Sequence, residues 1–402
     1  MNQALSDVVK TLRGLLFLPF WHLQRFRRRD PNVWVFGAWS GQRYSDNSRA
    51  LFEYVVAHYP SVTAVWITRS QSIYGRLTAA GLPVAMADSR DGIRWCRRAG
   101  VACINNWTDD FNERYLNGAH HVWLWHGMPL KQIFEDERRF LRRRYSFFKK
   151  LKMSINSFVF PYEQRPPIDS VLETSDFFTP FFQSACGVPP QQIWDDGYPR
   201  NDALLLEGEE DIVRRYRQQY PDATFVVYMP THRHHALGTT PFNAFNDFGF
   251  DRDAFFSTLE RGNYVFFNKG HFIDSAATVT LSHPRFLNVT DDDYDNLYTF
   301  LRGMDVLITD FSSVYFDYLL LRRPILLASF DYEGYVNDER PLYFDYSTWQ
   351  APRANTWPEL LTLLEDHAFT PPSDGEIQLF HTHPDADSCQ RVAQHILKEV
   401  SR

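Results

Sequence analysis

Short apolar runs alternate with longer stretches in which apolar residues recur every three to four positions. In the first half of the chain, the runs that predict strands are residues 33–37, 63–68, 101–105 and 121–125. Between them, residues 48–59 and 71–81 have the periodicity of amphipathic helices. Strands this short and this uniformly apolar, separated by helices, favour a parallel sheet that is covered on both faces.

The second half repeats this alternation. Strands are predicted at residues 224–230, 263–269, 285–290, 305–310 and 324–329, and helices at residues 208–220, 292–302, 314–322 and 388–400. Residues 187–202 are rich in Pro, Gly and Asp, which is typical of a connection between domains. We therefore predict two α/β domains, with ligands bound in a cleft between the carboxyl ends of the two sheets. The expected organisation is a membrane-surface segment at 1–30, domains at 31–190 and 191–375, and a helical tail at 376–402.

Length and composition agree with this organisation. The chain has 402 residues, which is more than one core usually holds, and 44% of them are hydrophobic. The formal net charge of -7 disfavours a protein that works by binding nucleic acid, because such proteins are usually basic. The four cysteines form no CxxC pair, so the sequence indicates neither a zinc site nor a disulfide framework, and a reducing cytosol is expected.

Basic charge is nevertheless concentrated in two segments. Residues 9–29 combine the apolar run 14–21 with a following arginine block, and residues 138–152 hold eight Lys or Arg residues and no acid. The apolar run is too short to span a bilayer, and the order of its parts does not fit a signal peptide. Two interpretations remain: an amphipathic helix, kinked near Pro19, that lies on an anionic membrane surface, or a helix that packs on the domain.

Polar residues that could take part in catalysis or bind a ligand follow several predicted strands. His126 and Gly127 come directly after residues 121–125, and Lys131 follows Pro129 in the same loop. A histidine at the carboxyl end of a strand is well suited to accept a proton near neutral pH. The alternative is a histidine that is hydrogen-bonded inside a turn, which is common for an isolated histidine.

Three further strand ends carry groups that suit an anionic ligand. Lys269 and His271 end one strand, Thr231 and Arg233 follow another, and Thr309, Asp310, Ser312 and Ser313 follow a third, just before a predicted helix. Arginine binds phosphate through two hydrogen bonds, and the first turn of a helix offers free amides to an anion. A capping role explains one of the two serines, but not the serine pair beside an aspartate.

Several other chemistries lack support. The sequence contains neither GxGxxG nor GxxxxGK[ST], so the classes that bind dinucleotides or use a P-loop are excluded. His232, His234 and His235 are adjacent loop residues with no carboxylate or cysteine nearby, an arrangement that rarely converges on a metal. We read the acidic run 291–293 as the start of the following helix. We therefore predict neither a cofactor nor a metal.

The motifs HGMPLK, GYPRND, PTHR, KGHF and TDFSSVYFDYLLLRRP occur here in the order seen in the CDP-glycerol glycerophosphotransferases. This family includes teichoic acid primases and polymerases. The segment FGAWSGQRYSDNSRALFEY at residues 36–54 also resembles that family, and the similarity extends over about residues 33–350. The chain departs from the usual pattern at Gly270 and Phe272, where the family has a KLHP-like sequence, at Phe311, where it has tyrosine, and at Pro341, where it has glycine.

The resemblance implies a GT-B-like α/β fold in which two Rossmann-like domains face each other across a cleft. It assigns the proposed catalytic pair to His126 and His271. It places Arg233, Ser312 and Ser313 in the CDP-glycerol pocket, with Asp317 on the same helix. We expect four neighbouring residues to assist in binding the donor: Thr231, Lys269, Thr309 and Asp310. Further site candidates are Gly127, Lys131, Arg200 and Asn201.

The implied activity is transfer of glycerol phosphate from CDP-glycerol to a hydroxyl of a membrane-linked or cell-surface glycan, with release of CMP. The expected setting is teichoic acid or capsule biosynthesis in a bacterium, on the cytoplasmic face of the cell membrane. The chain has no large additional amino-terminal domain, which favours a single transfer over polymerisation. Two alternatives stay open. One is a GT-B transferase that uses CDP-ribitol or another activated donor, and the other is a non-catalytic glycan-binding protein with the same fold.

Overall fold

The computed structural model describes residues 3–161, 167–231, 244–270, 281–335 and 341–401. Contacts between Cα atoms divide the chain into two compact units. Unit 1 comprises Met1–His126, Phe134–Arg200 and Asp387–Arg402, and unit 2 comprises Gly127–Ile133 and Asn201–Ala386. The main division therefore falls between Arg200 and Asn201, whereas the sequence analysis placed it before residue 191. The end of the chain contributes to both units and is not a separate tail.

Unit 1 is built on a parallel sheet of seven strands among the described residues, in the order β3-β2-β1-β4-β5-β6-β7. These strands are β1 to β7 in chain order: Asp30–Gly37, Thr63–Thr68, Val84–Met86, Ala99–Ile104, His120–Trp123, Ser170–Leu172 and Ile193–Trp194. The central strand β1 is buried from Val33 to Gly37, as expected for a strand covered on both faces. The predicted strands of this half are confirmed, and β3, β6 and β7 are additional.

Helices cover unit 1. Helices α1 to α7 are Gln3–Gln24, Asp46–His58, Gln71–Ala79, Arg90–Arg98, Phe134–Arg144, Phe147–Val159 and Thr179–Cys186. None of the described helices is both long enough and apolar enough to cross a membrane. Helix α1 contacts α6, and Gly14 permits this because a Cβ there would lie 2.3 Å from the ring of Phe160.

Unit 2 contains a second parallel sheet, whose described strands are ordered β10-β9-β8-β11-β12-β13. Strands β8 to β13 are Thr224–Met229, Tyr264–Asn268, Phe286–Asn288, Val306–Thr309, Ile325–Ala328 and Arg353–Ala354. Helices α8 to α16 are Asp202–Leu205, Asp211–Gln219, Arg252–Arg261, Leu297–Arg302, Val314–Leu319, Tyr332–Gly334, Trp357–Glu365, Asp374–Phe380 and Ser388–Val400. Helix α16 belongs to unit 1, where it packs against α2.

One helix prediction in this half was wrong. The acidic residues 291–293 do not begin α11, which starts at Leu297. The side chain of Asn296 caps it by accepting hydrogen bonds from the amides of Tyr298 and Thr299. Asp293 instead accepts bonds from the amide and hydroxyl of Thr290, so the acidic run forms a turn before the helix.

A partly buried arginine secures the amino-terminal edge of the unit 1 sheet. The guanidinium of Arg29 donates hydrogen bonds of 2.8–3.0 Å to the carbonyls of Cys96, Ala99, Tyr115 and Asn117. Burial lowers the pKa of Arg29 to about 10, and the charge of Glu113 opposes that effect. The four carbonyls belong to two chain segments, so a single side chain joins them to the start of β1.

We expect Arg29→Met to lower the free energy of unfolding by about 2–4 kcal/mol, because four carbonyls lose a charged donor. Chemical denaturation monitored by circular dichroism measures this change. Arg98→Met is the control, because Arg98 pairs with Asp30 while both side chains are about half exposed, and it should cost less than about 1 kcal/mol. Equal losses in the two variants would contradict a special role for Arg29.

Candidate active site

The described candidate residues lie where parallel strands end. In unit 1, β1, β4 and β5 end at Gly37, Ile104 and Trp123, and the loops that follow share one edge of the sheet. His126 lies three residues beyond β5. It is partly exposed, whereas the four residues before it are buried. The position predicted for His126 at a carboxyl-terminal edge is therefore present in the structure.

The backbone around His126 is unusual. Trp125 has a φ of 58°, in the left-handed region that residues other than glycine rarely occupy, and Gly127 has a φ of 155°. The ring of His126 lies between two indoles, with centroid distances of 4.0 Å to Trp125 and 5.2 Å to Trp39. The Trp125 ring also packs on Phe134, at 4.6 Å between centroids. The tryptophans on both sides of the ring therefore orient the imidazole at the end of this apolar strand.

A buried polar network holds the same loop. The guanidinium Nη1 of Arg200 donates to the Asp46 carboxylate at 2.7 Å and to the carbonyl of His126 at 2.8 Å. The side-chain amide of Asn47 donates to the carbonyl of Trp125 at 2.8 Å, and its oxygen accepts from the Arg200 amide at 3.1 Å. The sequence analysis named Arg200 as a candidate but missed Asp46 and Asn47.

The Asp46 carboxylate is ionised in this environment. Burial alone would raise the pKa of Asp46. The charge and hydrogen bond of Arg200, the charge of His126 and the amide of Asn47 together outweigh burial and hold the pKa below its usual range. The structure thus pairs a buried carboxylate with a buried guanidinium beside the histidine.

Asp110 organises the neighbouring loops at the same edge. Its carboxylate accepts backbone hydrogen bonds from Ser40 at 2.8 Å, Asn105 at 3.0 Å and Asn106 at 2.8 Å. Burial raises the pKa of Asp110 to about 7, and the charge of Asp109 adds to this, while the amides act in the opposite direction. Asp110 therefore fixes the loops after β1 and β4 to each other.

Glu173 is a second buried carboxyl at this edge, directly after β6. Its Oε1 accepts a hydrogen bond of 2.6 Å from the hydroxyl of Thr179. Burial raises the pKa of Glu173 to about 8; the Thr179 bond opposes this, and the charges of Asp195 and Asp176 reinforce it. Glu173 therefore holds a proton at neutral pH, a property that no pattern in the sequence predicted.

In unit 2, Asp310 has a role like that of Asp110. Its Oδ1 accepts from the amides of Thr231 and Phe311, both at 2.7 Å. The hydroxyl of Thr309 donates to the carbonyl of Met229 at 2.7 Å, which places it within the sheet. The hydroxyl oxygen of Thr231 is buried and has no hydrogen-bond partner among the described residues. Of these residues, Thr231 thus has the side chain whose hydrogen-bonding capacity is unused within the described residues.

The serine pair lies directly after β11. Ser313 occupies the N-cap position of α12, but its side chain makes no capping bond. The Ser312 hydroxyl oxygen lies 3.5 Å from the amide of Val314, at the limit of a hydrogen bond. Both serines are partly exposed, whereas Asp317 on α12 is buried. The serines therefore lie at the carboxyl edge of the second sheet, and their hydroxyls make few hydrogen bonds to the described residues.

Two lysines of unit 2 have internal contacts. Lys269 is buried and its Nζ lies 3.0 Å from the carboxylate of Asp291, which explains why that aspartate does not cap α11. Lys131 forms an antiparallel bridge with Leu342, and its Nζ lies 5.4 Å from the ring centroid of Tyr335. The loop that follows His126 is thus attached to residues 341–343, an attachment supported by a hydrogen bond from the Tyr343 amide to the Leu130 carbonyl.

The remaining candidates differ in what the structure shows. His271 and Arg233 lie outside the described residues. Asn201 is buried next to Arg200, and neither polar atom of its side chain has a hydrogen-bond partner in the part of the chain that the structure describes. No cluster of three His, Cys, Asp or Glu residues suited to a metal occurs among the described residues.

The fold indicates the class of protein to which the chain is similar. The structure is an α/β, GT-B-like fold with two parallel sheets, and it is similar to that of the wall teichoic acid polymerase TagF. One TagF structure superposes with a TM-score of 0.73 at 21% identity, covering 100% of this chain and 99% of that one. Another superposes at 0.71 and was obtained after a soak with CDPG.

The sequence defines the family. Residues 20–398 match the model of CDP-glycerol:poly(glycerophosphate) glycerophosphotransferases, and the chain belongs to that family. It is 26% identical over 351 residues to the teichoic acid glycerol-phosphate transferase of Staphylococcus aureus, covering 85% of this chain and 84% of that protein.

Other relatives are longer or are named for a different polyol phosphate. The chain is 25% identical over 320 residues to the teichoic acid poly(glycerol phosphate) polymerase of Staphylococcus epidermidis, covering 79% of this chain but 43% of that protein. It is 30% identical over 239 residues to the teichoic acid ribitol-phosphate primase of Bacillus spizizenii, covering 57% of this chain and 59% of that protein. The family therefore includes proteins named for glycerol phosphate and for ribitol phosphate.

The buried carboxyl of Glu173 generates a prediction about pH. Its pKa in the folded chain, about 8, lies above its ordinary value of 4.5, so its contribution to stability is complete below pH 4.5 and is lost as the pH rises to about 8. Glu173→Gln removes this titration. Between pH 4.5 and 8 the variant should gain at least about 1 kcal/mol relative to the wild type.

Denaturant unfolding at several pH values measures this difference. Glu207→Gln, at an exposed position, is the control and should follow the wild type at every pH. Parallel pH dependence of the Glu173→Gln variant and the wild type would show that folding does not raise the pKa of Glu173.

Proposed function

We propose that this chain transfers glycerol phosphate from CDP-glycerol to a hydroxyl of a membrane-linked or cell-surface glycan and releases CMP. The observation that carries the proposal is the family match along residues 20–398. A relative named as a glycerol-phosphate transferase covers most of the chain, which supports glycerol phosphate as the transferred group. The CDPG soak of TagF supports a CDP-linked donor.

In this proposal His126 is the general base. Its imidazole takes the proton from the acceptor hydroxyl as that oxygen attacks the phosphorus that carries glycerol. A new P–O bond forms, the bond to the bridging oxygen of the pyrophosphate breaks, and CMP leaves with that oxygen. A positioned proton acceptor typically contributes about 10²–10⁴-fold to such a reaction. The partial exposure of His126 and its fixed ring are consistent with this role.

The donor is assigned to unit 2. Thr231, Ser312 and Ser313 supply hydroxyls that the protein itself uses little, and hydroxyls donate readily to phosphate oxygens. The resemblance adds Arg233 as a phosphate ligand and His271 as the group that stabilises charge on the phosphates or assists the departure of CMP. Asp310 and Thr309 contribute by holding the loops that carry these hydroxyls.

A second candidate differs in the donor. Relatives named for ribitol phosphate favour a transferase that uses CDP-ribitol. Release of CMP from CDP-glycerol, CDP-ribitol and UDP-sugars, each with lipid-linked glycan acceptors, distinguishes these possibilities. Turnover of CDP-glycerol alone supports the proposal, preference for CDP-ribitol replaces it with the second candidate, and absence of turnover with every donor indicates a binding protein.

We expect His126→Ala to lower kcat by about 10²–10⁴-fold while CDP-glycerol still binds with a Kd close to that of the wild type, because the base acts on the acceptor. CMP release and calorimetric titration measure the two quantities. His120→Ala is the matched control, since His120 lies at the start of β5, the end of the strand opposite to the one that His126 follows. Near-normal turnover of His126→Ala would refute the assignment of the base.

We further propose that unit 1 contacts an anionic membrane surface on the cytoplasmic side of the cell membrane. Large apolar side chains are exposed on two helices that contact each other. We call this surface the α1–α6 face; it comprises Leu12, Leu15, Leu16, Leu23, Phe26, Phe147, Phe148, Leu151, Ile155 and Phe158. Leu16 is 82% exposed and Phe148 is 80% exposed, whereas core residues of comparable size in unit 1 are buried.

Basic residues accompany this apolar surface. Exposed lysines at 149, 150 and 152 lie on α6, and exposed arginines at 25, 27 and 28 follow α1. A helix with apolar side chains beside cationic ones is the pattern of an element that lies in a membrane interface. The opposite helix faces also hold the unit together, because Trp21, Val159 and Phe160 form a small core. In this proposal both interpretations of residues 9–29 apply, to different faces of one helix.

Substitution of the α1–α6 face should abolish membrane binding without unfolding the chain. We expect Leu16→Ser/Phe147→Ser/Phe148→Ser to reduce co-sedimentation with phosphatidylglycerol vesicles at least 10-fold, because all three side chains are exposed and contribute apolar area only when bound. Leu206→Ser/Leu379→Ser is the control, as both leucines are exposed on unit 2. Equal binding of both variants, or no binding of the wild type, would refute the membrane contact.

A further inference from the structure

Arg200 is buried and therefore unsuited to contact a substrate directly. Its side chain is 5% exposed, and that of its partner Asp46 is 9% exposed. The sequence analysis grouped Arg200 with residues that bind ligand, because arginine so often binds phosphate. In the structure its Nη1 atom is committed to the Asp46 carboxylate and the His126 carbonyl.

The bonds of Arg200 join three chain segments of unit 1. They connect the start of α2, the loop after β5 and the 3₁₀ turn Pro199–Asn201. Asn47 forms a second connection among the same segments, because its side chain bonds to the Trp125 carbonyl and the Arg200 amide. The carbonyls of two consecutive residues, Trp125 and His126, are thus fixed by side chains from outside their own loop.

This loop requires such support. The positive φ of Trp125 is unfavourable in a residue with a Cβ, and it persists only where the surroundings impose it. The φ of Trp125 also determines the direction of the following peptide, and with it the direction of the His126 side chain. Loss of the external bonds would let this peptide rotate and move the imidazole.

The turn that carries Arg200 is itself supported from behind by α16. The Cys389 thiol lies 3.5 Å from the carbonyl of Pro199, and Arg391 donates to the Asp196 carbonyl at 3.0 Å. His395 lies 2.8 Å from the Asp196 carboxylate. Since α16 also packs against α2, it holds both of the segments that supply Arg200 and Asp46.

We propose that Arg200, together with Asp46 and Asn47, is a positioning residue that sets the place and direction of the His126 imidazole. The inference rests on the proposed function, in which His126 is the base. The network acts through the carbonyls of Trp125 and His126 and does not bind the donor. Arg200 therefore determines the rate of the chemical step and leaves donor affinity unchanged.

The primary variant is Arg200→Lys, which keeps the charge beside Asp46 but replaces the rigid guanidinium, whose Nη1 serves both acceptors, with a flexible ammonium. We expect kcat for CMP release to fall about 10²-fold, because a displacement of about 1 Å has this effect on a positioned group. The Kd for CDP-glycerol should stay within about twofold of the wild type. Asp46→Asn, which keeps the shape of the carboxylate, should show the same separation of kcat from Kd to a smaller extent.

Arg29→Met is the matched control. Arg29 is also an arginine of unit 1 bonded to backbone carbonyls, but it is only partly buried and lies at the other edge of the sheet. It should lower the melting temperature and leave kcat near the wild-type value at a temperature where the chain is folded. A similar loss of kcat in Arg29→Met would show a general effect of destabilisation and overturn the inference. A raised Kd with unchanged kcat in Arg200→Lys would show that Arg200 contacts the donor, and would also overturn it.

A measurement that does not depend on turnover separates this inference from the proposed function. Ring signals of His126 in the NMR spectrum of the full chain, assigned with the His126→Ala variant, report the surroundings of the imidazole. We expect them to shift or broaden in Arg200→Lys and to stay in place in Arg29→Met. If no donor is turned over by the wild type, the proposed function fails, and this comparison still decides the positioning role. Unchanged ring signals in Arg200→Lys would refute it.

Discussion

The backbone groups at the ends of parallel strands must find hydrogen-bond partners away from water, and this requirement shapes both units. Where the hydrogen bonds between strands end, buried side chains bond to the backbone groups instead. Asp110 binds three amides in unit 1, Asp310 binds two in unit 2, and Asn47 binds the carbonyl after β5. An unsatisfied buried group costs about 1–3 kcal/mol, so these side chains are as necessary to the loops as apolar residues are to the core. The loops they hold carry the candidate active-site groups.

The same residue types therefore serve two purposes at these edges. Some carboxylates that look in sequence like ligand-binding groups, such as Asp310, accept hydrogen bonds from backbone amides instead. By contrast, the hydroxyl of Thr231 makes no hydrogen bond to the described residues. In the sequence Arg200 resembles an arginine that binds phosphate, but in the structure its Nη1 donates hydrogen bonds to the Asp46 carboxylate and the His126 carbonyl. The groups that contact a ligand are, on this reasoning, those with the fewest internal bonds.

The sequence predicted much of this molecule because its sheets follow a strong pattern. Apolar runs located nine strands, including the strand before His126, and the motif series pointed to the family that the comparisons show. The short strands β3, β6, β7 and β13 were not predicted, because two or three residues give no measurable period. Asp46 and Asn47 were missed although they lie in the quoted segment 36–54, since their roles depend on Arg200, more than 150 positions away. The pKa of Glu173 depends on burial, which sequence pattern does not reveal.

Helix α16 gives the molecule an unusual order of assembly. It is made after residues 201–386, yet it completes unit 1, most of which precedes them, and it packs against α2 and the segment before Arg200. During translation, residues 201–386 leave the ribosome before that helix exists, so the later unit has all its parts while the earlier one is still incomplete. Nascent chains that stop short of α16 would contain both sheets but would lack the buttress behind Arg200.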